Sequence, residues 1–246
     1  MRKSYFNIFL DVVNKDDALK ICSDVLSGIT CKSIFFVNAH CFNVAQINAE
    51  YRNALNKSDF IFNDGIGIKI GSYLANVHFK DNLNGTDLIP EIIQSGVKKN
   101  KRIYLVGSSE GAVQRAKLNL EKQYHNINIV GTWNGFFSTV EEEQIISDIN
   151  FNKADILIVG MGVPMQELWI SKIRNRLTNV QMCIAGGAII DFIAGDIKRA
   201  PLWMRKLNME WIYRLYLEPR RMWKRYLIGN FLFLLNAGKL LFKKLL

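Results

Sequence analysis

Ile156-Leu157-Ile158-Val159-Gly160-Met161-Gly162-Val163-Pro164, followed a helix length later by Met182-Cys183-Ile184-Ala185-Gly186-Gly187, decides the fold. Each stretch opens with an unbroken apolar run, too short for a helix, and closes on glycines. Residues 165–177 between them have helix length and composition. Two strands buried on both faces and joined by a helix make a βαβ unit, which requires a parallel pair. The same rhythm extends outward, with apolar runs at 34–37, 60–62, 103–106 and 127–130 and helical segments at 43–56, 87–99, 111–124 and 140–150. The expected fold class is therefore α/β, a Rossmann-like parallel sheet flanked by helices. No repeat, low-complexity stretch or linker interrupts residues 1–197.

The chain changes character near Lys198. From Lys198 onward lie 12 Lys+Arg against 2 Asp+Glu, which accounts for the whole net charge of +10, and Trp, Tyr, Phe and Leu are interleaved with the cations. Two units are expected: an α/β catalytic core at 1–197 and a helical, basic, amphipathic appendage at 198–246 that meets an anionic interface such as a lipid head group or a pyrophosphate. Arg214, Arg221 and Arg225 are spaced to share one line on a continuous helix, although Pro219 is placed to start a new one. The apolar stretch 226–242 is broken by Gly229, Asn230, Asn236 and Lys239. It falls short of the ~20 apolar residues of a spanning helix, so it is expected to lie on a membrane. Residues 1–13 show no secretory leader. The four cysteines lack metal-ligand spacing and suit reduced thiols in a cytosolic compartment.

Ligands of open parallel sheets bind beyond the carboxyl ends of the strands. Here those ends read Asn38-Ala39-His40, Asn63-Asp64-Gly65-Ile66-Gly67, Gly107-Ser108-Ser109-Glu110-Gly111, Gly160-Met161-Gly162 and Gly186-Gly187-Ala188. Glycines there let backbone amides approach a phosphate. Asp64 is placed either as a general base at a strand end or as the cap of a helix starting at Gly65. Thr86 and Asp87 suit capping or ligand contact equally. Gln166 and Glu167 fall in a first helical turn, where they can read a base or ribose edge or simply suit the helix dipole. The three histidines share no metal spacing, and no Asp-x-Asp pair, phosphate loop, Gly-x-Ser-x-Gly elbow or dinucleotide fingerprint occurs. Neither a metal nor a cofactor is expected. A nucleic-acid-binding protein is the competing class, because a basic aromatic tail also suits phosphate backbones.

Taken in order, Asn38-Ala39-His40 with Asn43, Asn63 to Gly67, Gly85-Thr86-Asp87-Leu88, Val159 to Pro164 with Gln166-Glu167, Asp191-Phe192, Arg199-Ala200-Pro201, Glu210-Trp211 with Arg214 and Glu218-Pro219-Arg220-Arg221 with Arg225-Tyr226 resemble the WecG/TagA/CpsF glycosyltransferases, family 26. The likeness runs from about Phe35 to Phe233. It implies an inverting, metal-independent transferase that moves an N-acetylmannosamine-type sugar from a UDP-sugar to a polyprenyl-diphosphate-linked sugar in cell-surface polysaccharide synthesis. Other members use glucose or N-acetylmannosaminuronic acid. The setting implied is cytoplasmic, peripheral on the inner face of the cell membrane, without nucleic acid, and homo-oligomerisation is compatible with an apolar tail.

Carried onto this chain, the resemblance makes Asp64 the base and assigns Gln166, with Gly160, Gly162 and Glu167 around it, to donor contacts. It makes Arg214, Arg221 and Arg225 a pyrophosphate clamp. One departure stands out: Phe36 replaces a Thr common in the family, leaving Asn38 or Thr86 to supply the missing polar contact.

Overall fold

The computed structural model describes residues 2–245, apart from the side chains of Arg221 and of 243–245. The chain opens with a hairpin, β1 (Arg2–Tyr5) and β2 (Ile8–Asp11), and α1 (Lys15–Val25). It continues through β3 (Lys32–Val37), α2 (Ala39–Ile47), α3 (Ala49–Asn56), β4 (Phe60–Asn63), α4 (Gly65–Leu74), α5 (Gly85–Lys98), β5 (Arg102–Gly107), α6 (Glu110–Gln123) and β6 (Asn128–Trp133). Next come α7 (Thr139–Phe151), β7 (Ile156–Gly160), α8 (Met165–Ile173), β8 (Met182–Ala185) and α9 (Ile189–Ala194). The last stretch holds α10 (Leu202–Lys206), α11 (Glu210–Leu217), α12 (Pro219–Trp223), a π turn (Lys224–Ile228) and α13 (Gly229–Leu245), without a strand.

All six expected runs are strands of one parallel sheet, in the order β4-β3-β8-β7-β5-β6. Ile34 pairs with Phe60 on one side and Ile184 on the other, and Ile158 sits between Ile184 and Leu105. Alternate residues feed two cores. Phe35, Tyr104, Leu157 and Cys183 face α2, α3, α7 and α8. Ile34, Leu105, Ile156, Ile158 and Ile184 face α1, α5, α6 and α9. At ~1.5–3 kcal/mol per fully buried aliphatic side chain, these layers supply the main force holding the sheet. Gly131 is required in β6 because a Cβ there would lie 2.2 Å from the Tyr104 ring.

Two local features depart from expectation. The 43–56 segment is two helices, broken where Asn48 turns extended (φ −117°, ψ 102°) and uses its side chain to cap α3 through Tyr51 N. Asn competes for backbone partners in this way, so the hydrophobic period continues while the helix does not. The N-terminal hairpin was not foreseen. It sits beside β4, the edge strand, where Asp11 Oδ2 accepts from Ile61 N at 2.8 Å and Arg2 donates to Asp11 and to the carbonyls of Ser58 and Asp59. A charged hairpin thus blunts an edge that would otherwise be open to pairing.

The basic tail returns to the core rather than trailing from it. Phe233, 1% exposed, meets Phe42 edge-on at 5.2 Å, and Ala237 is fully buried. Gly71 makes room for Phe233, since a Cβ there would lie 2.5 Å from the ring. Asn43 Nδ2 donates to Gly229 O at 2.7 Å, and Asn236 donates to Asn43. The opposite face of α13 leaves Phe231, Leu234, Leu235 and Phe242 exposed. Among the described residues no helix is long and apolar enough to cross a membrane.

Candidate active site

The carboxyl ends of the six strands converge on two adjoining cavities. The larger, about 500 Å³, is walled by the turns after β3, β5, β6, β7 and β8. The smaller, about 160 Å³, lies between the amino ends of α4 and α5 and the helices that follow Pro201. Asn38, His40, Asp64, Thr86, Phe192, Arg214 and Arg225 line both.

Asp64 stands at the N-cap position of α4 but makes no capping hydrogen bond. Asn82 Oδ1 accepts from the Gly65 amide, at 2.7 Å. The Asp64 carboxylate is therefore left to the cavities, with Oδ2 accepting from Asn38 Nδ2 at 3.3 Å. Asn38 is held by capping α2, its Oδ1 accepting from His40 N and Cys41 N. Burial raises the Asp64 pKa above the ordinary carboxylate range, against the opposing effects of the Asn38 hydrogen bond and of Arg225 and Arg214. His40 is shifted down, by burial first and by Arg225 second, so it is neutral at pH 7.

The arginines fall into two kinds. Arg199 is fully engaged, donating to Thr86 O, Asp87 and Glu210 at 2.7–2.9 Å, and Arg205 also pairs with Asp87. These contacts tie the tail to the start of α5. Arg214 lies over the Phe192 ring at 5.4 Å, with Nε and Nη2 buried and unpartnered. A half-buried guanidinium with two buried, unpartnered nitrogens beside a cavity is a site for an anion. Arg225 lines both cavities as well. The helix does not run continuously from Arg214 to Arg225: it breaks at Glu218 (φ −127°, ψ 59°), because Pro219 lacks an N–H and starts α12. The two arginines reach the same two cavities across this bend rather than along a shared helical line. The side chain of Arg221 lies outside the described residues.

The turns after β7 and β8 shape the larger cavity. Gly162 (φ +81°) and Gly187 (φ +60°) adopt left-handed backbone with open space where a Cβ would point, so ligand atoms can approach the main chain. Gly160 packs instead, since a Cβ there would lie 2.8 Å from Gly187 O. Gln166 lines this cavity, its Oε1 accepting from Gly187 N at 2.9 Å and Gly162 N at 3.3 Å. Glu167 lines neither cavity. It is 0% exposed and accepts from Gln166 Nε2, so it does not reach a ligand as the sequence expectation had it. Burial pushes its carboxyl up to about 7.

Thr86 lines both cavities, while neither it nor Asp87 caps α5; Asn84 does, through Asp87 N. Phe36 lines the larger cavity and lies 3.2 Å from where a Gly85 Cβ would sit, so an aromatic ring walls this part of the cavity. Asn82 and Asn208 carried no motif signal; Asn82 donates to Asn208 Oδ1 at 3.0 Å across the smaller cavity. Ser108 Oγ donates to Asp191 in the larger one. Among the described residues, no three His, Cys, Asp or Glu side chains gather into a metal-binding group.

The Glycosyl transferase WecG/TagA/CpsF family model matches residues 3–245. An N-acetylglucosaminyldiphosphoundecaprenol N-acetyl-beta-D-mannosaminyltransferase of Bacillus subtilis (strain 168) is 34% identical over 192 residues, 78% of this chain and 73% of that protein. The protein of the same description from Staphylococcus aureus (strain NCTC 8325 / PS 47) is 29% identical over 211 residues, covering 86% and 82%.

Proposed function

The chain belongs to the WecG/TagA/CpsF glycosyltransferase family, and from that premise we propose that it transfers N-acetylmannosamine from a UDP-linked donor to polyprenyl-diphosphate-linked N-acetylglucosamine, with inversion at the anomeric carbon. The observation that carries the reading is the uncapped Asp64 carboxylate on the wall common to two cavities, with unpartnered Arg214 beside it.

The larger cavity suits the nucleotide-sugar, its glycine turns admitting phosphate oxygens. The smaller, amide-lined one suits a single acceptor sugar. Asp64 then accepts the proton of the acceptor hydroxyl as that oxygen bonds to the anomeric carbon, while the bond from the same carbon to the UDP oxygen breaks. Attack from the face opposite the leaving group gives inversion. Negative charge growing on UDP falls to Arg214 and Arg225, which act without reorganisation because they are already held in place. Gln166 orders the donor turns, and Asn38 and Thr86 border the reacting centre.

The exposed apolar face of α13, with Trp203, Trp223 and Leu227, is suited to the head-group layer where a polyprenyl acceptor is presented. This makes the protein peripheral to the membrane, with residues 198–246 acting as its interfacial and pyrophosphate-binding unit.

A panel of UDP-N-acetylmannosamine, its uronic acid, UDP-N-acetylglucosamine and UDP-glucose, offered with a short-chain polyprenyl-diphosphate N-acetylglucosamine, tests the proposal. Transfer of N-acetylmannosamine is expected. Preference for another sugar would revise the donor, and no transfer from any of them would overturn the reading.

A further inference from the structure

Glu167 poses a question that the reaction scheme leaves open. A first-turn glutamate that merely complements the helix dipole does so from the surface, yet this one is 0% exposed and its Oε2 has no hydrogen-bond partner. Burying a carboxyl group without full satisfaction is costly, so its retention calls for a specific task.

Its contacts define that task. The Gln166 side chain is 97% buried and has two unlike ends. Its oxygen faces two backbone donors, Gly187 N at 2.9 Å and Gly162 N at 3.3 Å, which belong to the turns after β8 and β7. Its nitrogen donates to Glu167 Oε1 at 2.8 Å. Reversing the amide would set NH2 against two N–H groups and an oxygen against the carboxyl. An acceptor at residue 167 therefore selects one of the two orientations.

We propose that Glu167 is a positioning residue: it fixes the Gln166 amide in the orientation that ties the β7 and β8 turns together and so sets the spacing of the donor cavity. The proposal concerns the same site as the transferase reading and, as to donor, rests on it. Glu167 itself touches no substrate.

Glu167→Met removes the acceptor at nearly constant volume, and Glu167→Gln restores an acceptor oxygen. Nitrogen-15 NMR of the full chain reads the side-chain amide of Gln166 directly, assigned by its loss in Gln166→Met. In wild type and Glu167→Gln this amide is expected to be protected from hydrogen exchange; in Glu167→Met the protection is lost. In parallel, kcat/KM for the UDP-sugar should fall roughly 10- to 100-fold in Glu167→Met, the scale of a small misplacement at a reacting centre. Glu167→Gln should recover most of it. The melting temperature of Glu167→Met should change little, since relief of the unsatisfied Oε2 offsets the Gln166 Nε2 donor left without its acceptor.

Retained protection of the Gln166 amide in Glu167→Met overturns the proposal. So does equal loss of activity in both variants accompanied by a lowered melting temperature, which is the pattern of a structural role. Failure of the wild type to use any UDP-sugar would refute the transferase reading alone, because the amide measurement needs no substrate.

Discussion

Replacing Arg214 by Ala separates chemistry from stability, because this guanidinium has little to lose within the protein. Its Nε and Nη2 are buried without partners, and its main protein contact is the Phe192 face at 5.4 Å. Charge-assisted hydrogen bonds contribute about 1.5–3 kcal/mol each. Loss of one preorganised donor from a developing anion costs about 2.7–4 kcal/mol in known cases. Two donors acting partly in concert place Arg214→Ala near 3–4 kcal/mol of lost transition-state stabilisation, a fall in kcat of about 10²–10³-fold. Folding stability should be unchanged within about 1 kcal/mol, since a cation–π contact of about 0.5–2 kcal/mol is offset by relief from burying an unpaired charge.

Arg199→Ala is the control. It breaks links to Asp87, Glu210 and the Thr86 carbonyl, and should cost about 1–3 kcal/mol of stability. The assay pairs initial transfer rates at saturating donor with urea unfolding of both variants. Arg214→Ala retaining a rate within threefold of wild type would refute the reasoning. A stability loss matching that of Arg199→Ala would refute it too, by showing that Arg214 has a structural partner after all.

Other consequences follow from the same contacts. Phe233→Ala should destabilise by about 3–5 kcal/mol, the cost of an emptied aromatic site, and lower the melting temperature by roughly 10 °C at this chain length; a shift under 2 °C would mean α13 does not share the core. Sedimentation with anionic vesicles should weaken with salt and drop further in Leu234→Ser/Leu235→Ser, whose side chains are exposed, while circular dichroism stays unchanged. The acid limb of kcat/KM should fall above the ordinary carboxylate range, because Asp64 must be deprotonated to act and burial raises its pKa. The same shift carries a stability sign: a carboxyl with a raised folded pKa loses stability as pH rises from the unfolded value through the folded one. Asp64→Asn should therefore unfold at a higher temperature than wild type at pH 8, with the gap closing at pH 4.

The parallel sheet was legible because its strands are buried on both faces. Runs such as Ile156 to Val159 carry no polar interruption, and glycines directly follow the 103–106, 156–159 and 182–185 runs. The break at Asn48 was not legible, since the apolar period runs through it and only the cap to Tyr51 N reveals it. The hairpin at the β4 edge was hidden for a different reason: its strands span four residues each, and Asp11 satisfies Ile61 through a side chain rather than a strand ladder.

At the site, Asp64 could be singled out from its position at a strand end, but base and cap were indistinguishable in sequence, and only the structure shows that its side chain makes no capping hydrogen bond. Likewise Arg199 and Arg214 look alike in sequence, and only their partners separate a tether from a free cation. Glu167 was placed at a ligand or at the helix dipole by its position in the first turn after the Gly160 to Pro164 loop, whereas α8 turns it into the core.

The most direct test of the account compares wild type with Asp64→Asn in sugar transfer and in UDP binding. The account predicts that transfer falls by about 10²–10⁴-fold, the usual contribution of a positioned base, while UDP binds with unchanged affinity. Transfer by Asp64→Asn at the wild-type rate would contradict it.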